Sequence, residues 1–475
     1  MSSTGRARTS RSTSSRPVLV KGGTVVRASG AQPADVLIKD GRVAQVGPNL
    51  RSHGEPVIDA SGMLVLPGIV DPHTHFELDT GLEKTLDDFA SASVAAAAGG
   101  VTTFLDFAPQ QHGETFQAAL EVRLDRIEGC SLIDYGIHLN ITDLVPGWEA
   151  GLDKLVEAGV TSAKVYTTYR DTVFYVDDWT WYRLMERAGK AGLLVQVHAE
   201  NDAIVEGKTR ELVGTGKTSL AYHAVARPAV AEAEAVARGL VFSRATGSPV
   251  YFVHLSTPLA VDLVDEARPA VSALAETCPH YLVLDDSVYA GKDAARYLMT
   301  PPLRDKASQR GLWERLRAGA IQAIGSDHCG FGLQQRAGKD DFSQVSGGIP
   351  GVETTLLLLY TFGVRGDRIR LEDMVRLLCA NPSKIFGLWG RKGDLAPGFD
   401  GDLVIFDPRP ERVLSQSELH SRAGFSPYEG LTVQGRVRTT ICRGQVVYDE
   451  GDVVARAGYG RFVKCLPFDR SVYLA

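Results

Sequence analysis

Two histidines separated by one residue, His73 and His75, stand directly after the short apolar run Ile69-Val70. In an extended chain alternate side chains share a face, so the two imidazoles point the same way and are natural first ligands for zinc or a similar divalent metal. Alone the pair decides little, because histidines at this spacing also sit on surfaces or in satisfied cores. The same pattern recurs, however: Val197-His198-Ala199-Glu200, Val253-His254-Leu255-Ser256 and Gly325-Ser326-Asp327-His328 each put a ligand-type side chain at the end of a strand-like run. Lys164 stands inside the apolar stretch Thr161-Ser162-Ala163-Lys164-Val165-Tyr166. A protonated ammonium offers no lone pair to a metal, but burial and neighbouring cations disfavour protonation. A neutral amine there can capture carbon dioxide, and the carbamate would present two anionic oxygens able to bridge two ions. A buried salt bridge is the alternative for this lysine.

These groups need a scaffold that gathers strand ends at one rim. Strand-like runs at 69–75, 101–107, 133–141, 161–166, 193–198, 249–255, 271–276 and 321–326 alternate with helical stretches, such as 87–98, which should stop at Gly99-Gly100. Eight such units between 67 and 391 predict a (β/α)8 barrel of the TIM type, whose chemistry sits at the C-terminal ends of the strands. His73 and His75 then end strand one, Lys164 lies on strand four, and His198, His254 and Asp327 end strands five, six and eight. An open doubly wound sheet fits less well, since no strand is followed by G-x-G-x-x-G. Short strands flank this region: 18–26, 35–46 with a turn at Asp40-Gly41, and 57–66 on one side; 403–406, 438–442 and 445–449, with a turn at Arg443-Gly444, on the other. Neither group can bury a core alone. They are expected to combine into one β-sandwich from residues 17–66 and 392–455, beside a barrel of 67–391. Residues 1–16, rich in Ser, Thr and Arg, read as a disordered tail, and 456–475 as a C-terminal tail and candidate oligomer contact.

Composition narrows the function classes. With 44% hydrophobic and 23% charged residues and a net charge of −6, the 475-residue chain is an ordinary globular protein with no nucleic-acid signature. No apolar run reaches the length of a membrane span and no secretory signal is seen, so the cytoplasm is the expected compartment. Six cysteines without CxxC spacing read as reduced packing residues, with Cys329 a neighbour of the site.

Further stretches extend the pattern: Lys164-Val165-Tyr166-Thr167-Thr168-Tyr169, Glu276-Thr277-Cys278-Pro279-His280-Tyr281, Thr300-Pro301-Pro302-Leu303-Arg304 and Pro427-Tyr428-Glu429-Gly430. With the metal-type motifs above, they make the chain resemble the cyclic amidohydrolases of the dihydropyrimidinase and hydantoinase branch over nearly its whole length. The resemblance implies two divalent ions, usually zinc. His73, His75 and Asp327 would hold one, His198 and His254 the other, with Lys164 as N6-carboxylysine bridging both. It further implies that Asp327 takes a proton from the attacking water and passes it to the leaving nitrogen, while Tyr169 hydrogen-bonds the developing oxyanion. The substrate would be a small cyclic amide, a dihydropyrimidine or 5-substituted hydantoin opened to an N-carbamoyl amino acid, and the assembly a homotetramer.

Within that branch the chain departs at several positions. Thr300 and Ser346 fall at substrate-binding positions where serine and asparagine are common, and His280 stands where glutamine is frequent. Loops 77–88 and 170–175 should cover the site, with Leu78, Leu82 and Phe174 as candidate apolar contacts. Glu77 occupies the position at which dihydroorotases place a carboxylate-binding arginine, which argues against an acidic substrate by repulsion. Allantoinases generally lack the tyrosine seen at Tyr169; allantoinase or another cyclic-imide hydrolase is the rival enzyme. A non-catalytic dihydropyrimidinase-related scaffold is the rival of another class, and it would show gaps among the six metal-type residues, where this chain has none.

Overall fold

The structure is a computed structural model that describes residues 16–474. Of the expected disordered tail, residues 1–15 lie outside the described residues. Eight parallel strands make the central sheet: β1 (Ile69–Thr74), β2 (Val101–Pro109), β3 (Asp134–Asn140), β4 (Ser162–Tyr166), β5 (Leu194–His198), β6 (Val250–Phe252), β7 (Ala273–Thr277) and β8 (Ala323–Ile324), each paired with the next in chain order. The ring closes where Thr74 pairs in parallel with His328: His75 N–H donates to the His328 carbonyl (2.8 Å) and Asp327 N–H to that of His73 (2.9 Å). The barrel strands are buried on both faces, which is why they read as continuous apolar runs.

Local chemistry sets where elements stop. The helix Phe89–Ala98 is capped by Asp88, which accepts from Ser91 N–H, and it ends at Gly99-Gly100 as its sequence predicts. A Cβ on Gly99 would lie 2.7 Å from the Glu353 backbone, so the close approach there requires glycine. Two strands are shorter than the sequence suggests, for a reason tied to the site. The run 249–255 pairs only as Val250–Phe252 because His254 turns to a left-handed φ of 41°, and 321–326 pairs only as Ala323–Ile324 before Asp327 does the same at 49°.

The terminal segments form two further sheets. Arg42–Gly47, Asp35–Lys39, Val18–Lys21 and Val57–Asp59 make one, and the other runs from Asp452–Val453 through Gln445–Asp449, Thr432–Cys442, Leu403–Val413, Leu64–Pro67 and Thr24–Arg27 to Gly30–Pro33. They enclose a core that includes Val20, Val36, Ile38, Val65, Leu403 and Ile441, so both ends of the chain build one sheet domain beside the barrel. Asp40-Gly41 and Arg443-Gly444 are tight turns in which all four residues have positive φ.

The C-terminal segment does not hang free. Val463 N–H donates to the Tyr135 carbonyl (2.7 Å), Cys465 N–H to Gly159 (2.9 Å) and Phe468 N–H to Gly192 (3.2 Å). Val463 and Cys465 pack with Val70, Leu105, Leu194 and Leu274. The segment through Phe468 is therefore a strap across the N-terminal ends of its own barrel strands. Near the same end, the buried Lys392 ammonium joins Asp134 (2.6 Å), Asp402 (2.7 Å) and Asp400 (3.1 Å), fastening the start of β3 to the terminal domain. Among the described residues no helix is long and apolar enough to cross a membrane, and all six cysteines are unpaired.

Candidate active site

The opposite rim gathers the six metal-type residues. His73 and His75 leave β1 on one face with their Nε2 atoms 3.2 Å apart. Asp327 Oδ1, brought in by the closure of the ring, lies 3.2 Å from His73 Nε2 and 3.4 Å from His75 Nε2. Lys164 Nζ rises from β4 to within 2.8 Å of His73 Nε2 and 3.5 Å of His75 Nε2, against the ring faces of Phe107 and Tyr166. The His198 and His254 rings stand 4.5 Å apart, and His254 stacks on His73 at 5.4 Å. Tyr169, His254, Asp327 and Glu77 all have left-handed backbones (φ 72°, 41°, 49° and 46°), so the chain bends sharply at this rim.

Burial controls the charge states. It holds His73, His75 and His254 well below the ordinary histidine value, and nearby positive groups add to the effect, so these imidazoles are neutral. Burial lowers the Lys164 ammonium against the pull of Asp327 and Glu276, and it raises the Asp327 carboxyl against the pull of Lys164. Three groups converge on the single lone pair of His73 Nε2, and Nδ1 of His254 is buried without a partner. Neutral imidazoles, one carboxylate and a lysine in this crowded arrangement fit the binding of divalent cations, for which His73, His75 and Asp327 already form a compact triad.

The carboxylates behind the histidines were not singled out by the sequence reading. Glu276, at the end of β7, receives His73 Nδ1–H (2.7 Å), the Tyr251 hydroxyl (2.8 Å) and His254 N–H (3.0 Å), which turns His73 Nε2 toward the centre. Burial pushes the Glu276 carboxyl up to about 8. Glu200 takes His198 Nε2 (2.8 Å) and the Arg227 guanidinium (2.6 Å), leaving Nδ1 as the free ligand atom of His198. Their signal was a carboxylate in an apolar strand, Ala-Leu-Ala-Glu-Thr, and an acidic residue two places after a histidine.

A cavity of about 380 Å³ opens over the cluster, lined by His75, Lys164, Tyr169, His198, His254, Thr300, Asp327 and Ser346 among others. The Tyr169 hydroxyl bonds Thr300 Oγ1, the Arg227 guanidinium covers the Tyr169 ring at 5.1 Å, and burial pushes the phenol up to about 12, so it remains a donor at neutral pH. Leu78, Leu82 and Phe174 all line the outer cavity, and Cys329 also faces it as a thiol whose pKa burial raises. Glu77 does not line it. Its carboxylate turns to Lys84 (3.1 Å) and Arg126 (3.6 Å), so it is neutralised outside the cavity and cannot repel an acidic substrate as the sequence suggested. His280 is buried with both ring nitrogens unpartnered, and burial pushes it to about 3.

The model of the Amidohydrolase family matches residues 64–447, which spans the barrel and much of the terminal domain. The chain belongs to the amidohydrolase family. This amidohydrolase is 41% identical over 453 residues to the D-hydantoinase of Geobacillus stearothermophilus, covering 94% of this chain and 96% of the relative. It is 40% identical to a D-phenylhydantoinase of Escherichia coli O1:K1 / APEC, covering 95% and 98%. Among solved structures, the dihydropyrimidinase from Brevibacillus agri NCHU1002 superimposes with a TM-score of 0.93 at 37% identity, covering 96% of this chain and all of that one. The amidohydrolase is thus a cyclic amide hydrolase, and its cluster of histidines and carboxylate suits a binuclear metal site.

Proposed function

We propose that the enzyme opens the ring of a dihydropyrimidine or 5-substituted hydantoin to an N-carbamoyl amino acid, using two zinc ions and Lys164 carried as N6-carboxylysine. The observation that carries the lysine assignment is its setting: a buried amine beside two neutral imidazole nitrogens, with no carboxylate within ion-pair distance among the described residues. As a carbamate, Lys164 becomes an anion at the centre of this donor set. His73, His75 and Asp327 would hold one ion, His198 and His254 the other, with the carbamate between them. When bound, the ions would supply Lewis acidity and an activated water at neutral pH.

The chain's own groups do the rest. Thr300 and Ser346 line the cavity where the ring amide must lie, and the Tyr169 phenol donates to the carbonyl oxygen as it gains charge. Asp327 accepts the proton of the attacking water and returns it to the ring nitrogen as the C–N bond breaks, leaving a neutral carbamoyl nitrogen and a carboxylic acid that loses its own proton to solvent. The unpaired cysteines support a reducing compartment such as the cytoplasm, and a homotetramer is the expected assembly.

The test is turnover of dihydrouracil, several 5-substituted hydantoins and allantoin by zinc-loaded enzyme, with chiral analysis of the products. Opening of dihydrouracil or a hydantoin in preference to allantoin is expected. Failure to open either, or a preference for allantoin, overturns the reading.

A further inference from the structure

The outer cavity has a charge pattern that the ring chemistry does not need. Four charged residues line the cavity: Lys164, Asp327, Arg227 and Glu206. The first two belong to the reacting centre, and Arg227 is neutralised by Glu200 at 2.6 Å. Glu206 is different. It projects from the helix Asp202–Gly214 beside Val205 and Thr209, which also line the cavity, and it is half-buried. Among the described residues no cation lies within ion-pair distance of it; the neighbouring Lys208 pairs instead with Glu211 at 2.8 Å.

A second wall residue reinforces the pattern. His223 Nε2 meets the Met299 carbonyl at 2.9 Å, and a carbonyl only accepts, so the proton is on Nε2 and Nδ1 carries the lone pair. Burial pushes His223 down to about 4, which keeps the ring neutral near pH 7. A positive group entering past Leu78, Leu82 and Phe174 would therefore meet one uncompensated carboxylate and a neutral imidazole, while the lining guanidinium, Arg227, is already paired with Glu200. A cavity of about 380 Å³ also leaves room beyond a five- or six-membered ring for such an arm.

We propose that the outer cavity selects ring substituents ending in a cationic hydrogen-bond donor, such as a primary ammonium or guanidinium, with Glu206 as the counter-charge. The proposal rests on the cyclic-amide reading and adds the class of substituent. Because Glu206 is only half-buried, the attraction is partly screened by water and its effect is a modest preference.

The experiment compares kcat/KM of the zinc-loaded enzyme for a hydantoin bearing a 5-(4-aminobutyl) arm with that for the uncharged 5-pentyl analogue. The ammonium substrate is expected to be favoured by about 2- to 5-fold at low salt. The preference should vanish or reverse in Glu206→Gln and shrink on adding salt, while turnover of the alkyl analogue stays nearly unchanged. An ammonium substrate opened no faster than the alkyl one, or a preference that survives Glu206→Gln, overturns the proposal while leaving the ring chemistry intact. If neither ring is opened, the cyclic-amide reading itself fails and this proposal with it.

Discussion

The barrel buries a lysine near each end, and their surroundings are opposite. Lys392, at the N-terminal end, sits among Asp134, Asp402 and Asp400 at 2.6, 2.7 and 3.1 Å, and these carboxylates hold its ammonium well above the ordinary lysine value despite burial. Lys164, at the catalytic rim, faces imidazole nitrogens at 2.8 and 3.5 Å and two aromatic rings, and burial lowers it. The same side chain is a cationic rivet where anions surround it and an amine that holds its proton less tightly where they do not. One end of the barrel is built for stability and the other for chemistry, and single substitutions should separate the two.

The largest structural effect belongs to Lys392. Lys392→Met removes the cation shared by three buried carboxylates, with Asp134 still paired to Arg443 at 3.0 Å, and should cost about 3–5 kcal/mol of stability. Chemical denaturation reads that loss, and the folded fraction should keep its kcat. Tyr169→Phe acts the other way: stability should change by less than about 1 kcal/mol, while kcat falls about 10²- to 10³-fold as an oxyanion donor is lost. Steady-state kinetics with an unsubstituted hydantoin distinguish this from a KM effect. Glu276→Gln removes the carboxylate that orients His73 and should weaken metal retention by about 10- to 100-fold, measured by competition with a chelator.

The smallest expected effect is one of slope. In metal-stripped protein Lys164 holds its proton less tightly folded than unfolded. Between its lowered value and the ordinary 10.5, the unfolded chain binds more protons, so this lysine makes stability rise with pH. Lys392 holds its proton more tightly when folded, so its contribution is present below 10.5 and is lost only as pH rises through its higher folded value. Lys164→Met should remove a rise of about 1 kcal/mol or more between roughly pH 8 and pH 10, and denaturant midpoints at both values check it.

The catalytic side of this contrast was legible in the sequence, whereas the Lys392 cluster was not. Alternation along β1 put His73 and His75 on one face, the strand ends supplied His198, His254 and Asp327, and a lysine in an apolar strand announced itself at Lys164. What remained hidden depends on contacts across the chain. Glu276 meets His73 across 203 residues, and nothing local marks that pairing. The outward turn of Glu77 follows from a left-handed φ of 46°, which residue type does not reveal, so its position suggested a role its direction denies. The C-terminal strap is held by main-chain hydrogen bonds to Tyr135 in β3 and to Gly159 and Gly192 at helix ends, partners that residue type along the segment does not reveal.

The central claim is that Lys164 works as a carbamate. Reconstituting metal-stripped protein with zinc and 13C-bicarbonate, then recording its 13C NMR spectrum beside that of Lys164→Ala, tests it most directly. One protein-bound carbamate signal and about two zinc ions per chain are expected, with both the signal and most of the metal absent in the variant. Two tightly held zinc ions without a carbamate signal, or a signal that persists in Lys164→Ala, would contradict it.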